Sequence, residues 1–216
     1  MESFDNLLQL AEVAHGHLCA GQILGVRMAI LGCRRLGIEE PRGKDRKRLV
    51  TYVEIDRCAT DAIGVVTGCR LGKRALKFRD WGKMAATFVD LDSGRALRIA
   101  ALESSKARAK ELYPEIENKN KQQMKAYREL PDEELFSEEW VRVQIEPKEF
   151  PGYKGERISC AECGEGVSYE RFVERNGHTL CLSCADPKAR YYQPLDASQE
   201  SASVPVTISG PRCECP

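Results

Sequence analysis

The sequence predicts an α+β protein with a small cysteine-rich module near its C-terminal end. Two helical patterns open the chain, short strand-like segments occupy its middle, and two CxxC pairs lie close together beyond residue 155. With 216 residues, 42% of them hydrophobic, the chain can hold one ordinary domain and a small appendage. The 33 basic and 33 acidic residues cancel, so no overall field draws the protein to nucleic acid or to a membrane surface.

The first part of the chain has apolar residues at helical spacing, followed by a continuous apolar run. Helices are predicted at 3–14, at 22–36 with Gly37 ending the second, and at 58–68 as one or two turns that end in Gly68. The run "LVTYVEID" (49–56) predicts a buried strand between the second and third helices.

Strand-like segments then alternate with turns. Strands are predicted at 74–78, 83–92, 95–102 and 138–146, and a helical region interrupted by Pro114 is predicted at 103–129. Ser93-Gly94 is a hairpin turn signal between two of these strands. Proline and glycine cluster at 146–156, which indicates a linker.

The linker divides the chain into three predicted parts. These are a core domain at 1–150, a zinc module at 151–190 and a flexible Ser/Pro-rich tail at 191–216, in which Cys213 and Cys215 have no assigned role. The N-terminal residues lack the basic and long apolar regions of an export signal, and no apolar run is long enough to span a bilayer. We therefore expect a cytoplasmic protein without a membrane anchor, in which ten cysteines serve as metal ligands or reactive thiols.

The strongest motif is a four-cysteine zinc signature. Cys160 and Cys163 are separated by two residues, as are Cys181 and Cys184, and 17 residues lie between the pairs. Such pairs present two sulfurs to one tetrahedral ion, and four sulfurs leave no open position, so the site is structural. The segment between them predicts a hairpin turning at Asn176-Gly177. His178 is an alternative ligand, although a surface or supporting position is expected.

A second group of donors lies in the break between the first two helices. His15, His17 and Cys19 alternate there, so an extended backbone would place them on one face. Cys58 follows the predicted buried strand, where ligand sites are common. Soft sulfur and imidazole suit zinc, or iron, nickel or copper. We predict a core transition-metal site of His17, Cys19 and Cys58, the alternative being that these cysteines are small buried residues, as expected for Cys33.

Residues around this group have more than one interpretation. His15 has a structural or a chemical role, and Asp61 is a ligand, an acceptor for a histidine N–H or a helix-start carboxylate. A basic run also occupies 69–83 and consists of Arg70, Lys73, Arg74, Lys77, Arg79 and Lys83 against the single acid Asp80. It is either a solvated strand face or a receptor for an anionic ligand.

Three blocks of the sequence resemble the FmdE family, which takes its name from a component of formylmethanofuran dehydrogenase. They are "HGHLCAGQILGVRMA", "DRCATDAIGVVTGCRLGK" and "DWGKMAATF", and the resemblance covers about residues 4–147. It implies an α+β core around a mixed sheet, tightly intertwined homodimers and a metal-linked cleft near the His/Cys block. The appended cysteine module is similar to a treble-clef zinc finger. Founding members of the family accompany a molybdenum or tungsten enzyme that reduces carbon dioxide on a C1 carrier in methanogens.

The resemblance also assigns candidate residues. Carried over by position are His17, Cys19, Cys58, Asp61, Gly68, Cys69 and Lys83, and the candidate cleft comprises His15, Asp61, Cys69 and Lys83 beside the metal ligands. The chain departs from the family pattern at Ala20, Gly64 and Arg70, where proline, glutamine and threonine are expected. The family's polar substrate contacts are therefore altered here.

Three functions fit these features. The first is a metal-binding accessory or sensor protein whose zinc finger docks a protein partner. The second is a metal-dependent enzyme of C1 or pterin-type chemistry with an open metal position in the core. The third is a regulator whose finger contacts nucleic acid or the transcription machinery. The first is favoured because the chain has two separate Cys/His sets and shows neither a phosphate-binding glycine loop nor a recognisable pair of catalytic carboxylates. The third is disfavoured because residues 151–190 carry six basic and six acidic residues, without the positive excess that phosphate contact requires.

Overall fold

The computed structural model describes residues 1–192 of the chain. Two compact units are present, Met1–Lys154 and the residues from Gly155 onward, and each is described by itself. The predicted α+β class is confirmed: the first unit has a mixed sheet flanked by helices, and the second carries a four-cysteine cluster of the zinc-finger type. Most of the predicted tail, 193–216 with Cys213 and Cys215, lies outside the described residues.

The first unit is built on a five-stranded sheet with the order β2-β1-β3-β4-β5. Its strands are β1 (Leu49–Val53), β2 (Leu76–Phe78), β3 (Ala85–Asp90), β4 (Ala96–Ala101) and β5 (Phe136–Val141). Strands β1 and β2 are parallel, whereas the other neighbouring pairs are antiparallel. The predicted hairpin joins β3 to β4, with Gly94 at a φ of 71° in the left-handed region that its turn requires.

Helices cover one face of this sheet. They are α1 (Phe4–His15), α2 (Ala20–Leu36), α3 (Cys58–Thr67), α4 (Ser104–Leu112), α5 (Lys119–Glu129) and α6 (Asp132–Leu135). The apolar sides of α1, α2 and α3 meet Phe88 and Leu97 of the sheet in the main core, where both residues are fully buried. Helices α2 and α3 approach very closely, because a Cβ at Gly25 would lie 2.5 Å from the carbonyl oxygen of Ala59.

Helix α3 differs from its prediction in the number of turns, and strand β5 differs in its bounds. Helix α3 has ten residues, nearly three turns where one or two are predicted, and it packs closely against α2. Strand β5 begins at Phe136 and ends at Val141, whereas the sequence pattern predicts 138–146. Pairing stops there because Val141 already lies opposite Ala96, the first residue of β4. Beyond it, Val143 and Ile145 pack on a small cluster centred on Val50.

The second unit consists of two hairpins and a short helix. Strands β6 (Arg157–Ser159) and β7 (Gly166–Ser168) form the first hairpin, and β8 (Phe172–Arg175) and β9 (His178–Cys181) form the second. The second hairpin turns at Asn176-Gly177 as predicted, and both residues have positive φ, 52° and 76°. Helix α7 (Leu182–Ala185) follows directly. No helix within residues 1–192 is long and apolar enough to cross a membrane.

Candidate metal centres

The first donor cluster lies at the break between helices α1 and α2. Helix α1 ends at His15, Gly16 takes a left-handed φ of 94°, and the extended Cys19 forms the N-cap of α2. The Cys19 side chain makes no capping hydrogen bond, so the backbone N–H groups at the start of α2 do not engage its sulfur. The potential ligand atoms of His15, His17 and Cys19 all lie within 4.8 Å of one another. Three donors spaced two residues apart therefore converge on one point.

Asp61 fixes the orientation of one imidazole in this cluster. Its Oδ2 lies 2.8 Å from Nδ1 of His15, and with a proton on Nδ1 the hydrogen bond leaves the lone pair on Nε2. This Nε2 is buried and has no hydrogen-bond partner within residues 1–192. A carboxylate holding the far nitrogen of a histidine is the usual support of a metal-bound imidazole. A transition metal therefore fits the site, because it would satisfy this buried nitrogen.

Cys58 lies beside this cluster without being among its three mutually close donors. Partial burial and a hydrogen bond with the Cys19 thiol raise the pKa of Cys58. A Cβ at Gly21 would meet Cys58 Cβ at 3.2 Å and Cys19 Sγ at 3.7 Å, so this glycine keeps the space between the cysteines open. The structure thus places His15 with His17 and Cys19, and Cys58 next to Cys19 as a further sulfur.

Cys69 lies apart from the donor cluster, at the other end of helix α3. Cys69 follows the C-terminal end of α3, about 15 Å along that helix from Cys58 at 1.5 Å per residue. It is buried in the core, where Thr51 and the Leu49 carbonyl contact its sulfur at 3.5 Å and burial raises its pKa. Lys83 is exposed, with its ammonium group 5.7 Å from the ring centroid of Trp81. Cys69 is therefore a core residue, and Cys33 is fully buried as expected.

Two residues that position the cluster carry no recognisable sequence signal. The buried Gln22 donates from Nε2 to the Cys58 carbonyl over 2.7 Å and so ties α2 to the start of α3. Asn120 of α5 accepts from the backbone N–H of Ala20 over 3.2 Å and thereby caps the start of α2. These contacts join residues 36 and 100 positions apart, which no local pattern reveals.

The second cluster is formed by the four cysteines of the two CxxC pairs. The sulfurs of Cys160, Cys163, Cys181 and Cys184 all lie within 4.8 Å of one another, with 3.9 Å between Cys163 and Cys181. The first pair lies in the turn between β6 and β7, and the second spans the start of α7. His178 is exposed and lies outside this group. A cysteine-bearing turn, a hairpin and a cysteine-bearing helix start follow one another as in a treble-clef finger. This arrangement supports a structural zinc ion.

Hydrogen bonds prepare these sulfurs for a cation. Backbone N–H groups of Cys163 and Cys181 lower the pKa of Cys160 to about 6, and the Ser183 hydroxyl lowers the pKa of Cys181. Burial and the neighbouring thiols instead raise the pKa of Cys184 to about 12. Four adjacent thiolates repel one another unless a metal neutralises them. Arg190, which donates to the Cys184 sulfur over 3.2 Å, offsets the remaining negative charge.

Comparisons with known proteins agree with both parts of the chain. Residues 14–137 match the family model "FmdE, Molybdenum formylmethanofuran dehydrogenase operon", and residues 154–189 match the "Prokaryotic dksA/traR C4-type zinc finger". The chain is 32% identical, over 83% of its length, to a probable S-adenosyl-L-methionine-binding protein of Archaeoglobus fulgidus, and spans about half (52%) of that relative.

A solved structure has the same fold. It is a tungsten formylmethanofuran dehydrogenase FmdE-like protein from Syntrophus aciditrophicus, which aligns with a TM-score of 0.61 at 20% identity. The alignment covers 88% of this chain and 95% of that protein. At this identity the likeness concerns the fold.

Proposed function

The chain belongs to the FmdE family, and from that premise we propose that it is a metal-binding accessory or sensor protein with two centres. The core centre would hold a transition metal through His15, His17 and Cys19, with Cys58 available as a fourth ligand. The C4 zinc finger would be structural and would present a surface to a protein partner.

The observation that carries the core centre is the unpartnered Nε2 of His15. A buried polar atom without a hydrogen bond costs about 1–3 kcal/mol, and native proteins rarely leave one unsatisfied. Here the other ring nitrogen is held by Asp61, and two further metal-ligating side chains lie within 4.8 Å. A bound metal explains all three features together.

Metal counting on the purified full chain tests the proposal. We expect two metal ions per chain in the wild type, and one in a His15→Ala/His17→Ala variant, whose zinc finger keeps its ion. Substituting Cys181 and Cys184 by serine should remove the other ion and spare the core metal. His178→Ala is the matched control, because it removes the third histidine of the chain from an exposed position outside both clusters.

Two outcomes of metal counting would contradict these expectations. A wild-type chain that binds one metal, and keeps it in the His15/His17 variant, would overturn the core centre while leaving the zinc finger intact. Equal loss in the His178 control would show that histidine substitution acts through folding.

A second candidate function is a metal-dependent enzyme of C1 or pterin-type chemistry. It is favoured by the count of mutually close donors: three protein ligands leave a tetrahedral ion one position for water or substrate. Cobalt substitution distinguishes the two functions, since a catalytic site requires an exchangeable water. A spectrum that is insensitive to added anions in the wild type, and becomes sensitive in Cys58→Ser, would indicate four protein ligands and exclude an open site.

The assembly and partners are also proposals. We propose an intertwined homodimer in the cytoplasm, supported by the sheet face around Val50, where Tyr52 is half-buried, and by the edge strand β5, where Trp140 is 53% exposed. Light scattering on the purified chain measures its mass directly. A protein partner for the finger is supported by Leu182, which α7 leaves 55% exposed. A nucleic-acid role would require binding that weakens steeply with salt.

A further inference from the structure

A groove lined by positive side chains lies at the C-terminal end of helix α3. Five cationic residues line this cationic groove: Arg42, Arg46, Lys47, Arg70 and Lys73. Its volume is about 720 Å³, within the range of small-molecule sites. Leu49, Ala75 and Leu91 contribute an apolar wall. The groove thus combines a cluster of charge with a surface that suits a hydrophobic ring or chain.

The charge of the groove is largely unbalanced by protein groups. No Asp or Glu is among the described residues that line it. Within residues 1–192, no carboxylate forms an ion pair with Arg46, Lys47, Arg70 or Lys73, whereas Arg42 pairs with Glu2. Like charges that face one concavity repel one another, so an anion that enters it is stabilised by several cations at once.

Two acids that neighbour groove residues in the sequence, Asp45 and Asp90, are held by other contacts. Asp45 and Asp90 each lie 3.0 Å from the Arg48 guanidinium, and Asp45 also accepts backbone N–H bonds from Glu39 and Glu40. Both carboxylates therefore contact Arg48 or backbone N–H groups, and neither forms an ion pair with a cation of the groove.

Backbone geometry brings the basic side chains together. Gly68 ends α3 at a φ of 69°, and a Cβ there would lie 3.1 Å from Cγ of Arg42, so glycine lets the arginine stem pass close to the helix end. The short 3-10 turn Leu71–Lys73 then directs Arg70 and Lys73 from its two ends. The helix end itself carries about half a negative charge, which the four cations without an ion pair outweigh.

The cationic groove is separate from the candidate core centre. Cys58 begins α3 and Gly68 follows its last residue, so the two features lie at opposite ends of a helix about 15 Å long. Neither the donor cluster nor its supporting Asp61 contributes to the groove.

We propose that this groove binds a small organic phosphate, a molecule with two or more phosphate groups joined to an apolar or aromatic part. The phosphates would lie among the arginines and lysines, which suit bidentate and point-charge contacts to phosphate oxygens. The organic part would rest on the wall of Leu49 and Leu91. This site depends on neither metal centre.

Calorimetric titration of the metal-loaded full chain with ATP, pyrophosphate and S-adenosyl-L-methionine tests the proposal. We expect ATP to bind more tightly than pyrophosphate, because only ATP can use the apolar wall. S-adenosyl-L-methionine carries two positive groups and one carboxylate, so we expect it to bind at least tenfold more weakly than ATP. Raising the salt should weaken ATP binding, as it screens the exposed cations.

Paired variants locate the binding site. Arg70→Gln/Lys73→Gln should weaken ATP binding at least tenfold. The control Arg142→Gln/Lys110→Gln removes the same charge from exposed positions outside the groove, and should change it by less than twofold. Absence of ATP binding at low salt, or equal loss in both variants, would overturn the proposal. Pyrophosphate binding as tightly as ATP would refute the organic part, and an affinity for single strands that rises with strand length would point to nucleic acid instead.

Discussion

The substitution Asp61→Asn tests whether the carboxylate near His15 prepares a metal ligand. Asparagine keeps the shape of the side chain and can still accept from Nδ1–H, but it removes the negative charge that makes the imidazole a better donor. Loss of such a supporting partner typically weakens metal binding 10- to 100-fold. Because the Asp61 side chain is 58% exposed, water already screens its charge, and we expect the lower end, about tenfold or ~1.4 kcal/mol.

Competition with a chromophoric chelator measures this change. The zinc finger in the same chain serves as an internal reference, because its four sulfurs are untouched by the substitution. We expect the core metal to transfer at about one tenth of the chelator concentration that the wild type requires, with the finger metal unchanged. Asp56→Asn is the matched control, since it removes an exposed carboxylate from the loop that precedes α3.

Asp61→Ala separates charge from hydrogen bonding. It removes both, so the core metal should be held more weakly than in Asp61→Asn. Core affinity equal to wild type in both Asp61 variants would refute the reasoning that this carboxylate supports a metal-bound histidine.

Three further predictions concern stability. Gly32→Ala should destabilise the core by about 1–2 kcal/mol in denaturant unfolding, because the new Cβ would lie 2.4 Å from the buried Phe88 ring and overpacking outweighs the better helix propensity of alanine. Glu138→Gln should lose about 0.5–1 kcal/mol at pH 7, since Arg35 binds this carboxylate through two hydrogen bonds and lowers its pKa. Chelation should abolish amide protection in residues 155–192 and leave the first unit protected, measured by hydrogen exchange.

The stability loss expected for Glu138→Gln depends on pH. A carboxylate whose native pKa is depressed stabilises the fold above its ordinary value of 4.5, and the contribution disappears as pH falls through the native pKa. The difference between wild type and Glu138→Gln should therefore shrink as the pH falls below 4.5 and vanish once the pH lies below the native pKa, while the control Glu139→Gln shows little difference throughout. For the Gly32→Ala prediction, the control is Gly72→Ala, because nothing lies within 4 Å of the position that a Cβ at residue 72 would take.

Local patterns predict the elements whose cause is local. Helix α2 ends at Gly37 as expected, because its left-handed φ of 69° suits glycine. The two hairpin turns follow from Ser93-Gly94 and Asn176-Gly177 for the same reason. The end of β5 is not predictable in this way, because the bounds of its pairing depend on where β4 begins. A residue pattern cannot show where its partner strand starts.

The donor cluster is partly predictable for a related reason. His15, His17 and Cys19 lie within five positions, so their convergence needs only a short extended break between helices. Their supports come from elsewhere: Asp61 is 46 positions from His15, and Asn120 is 100 positions from Ala20. The sequence pattern favours His15 as a cleft residue and Cys58 as a ligand. In the structure it is His15 whose donor atom lies with those of His17 and Cys19.

The two units differ in how much their folding depends on a metal, because their apolar cores differ in size. Among the described residues of the second unit, the buried cluster consists of Cys160, Cys181 and Cys184, with the part-buried Val167 and Leu180 packed against it. So little apolar area cannot offset chain entropy, and the affinity for zinc becomes the folding energy of the unit. In the first unit, a large apolar core forms from helices and sheet irrespective of the donors. The fold of the first unit therefore assembles the donor cluster, whereas we expect zinc binding to stabilise the fold of the finger.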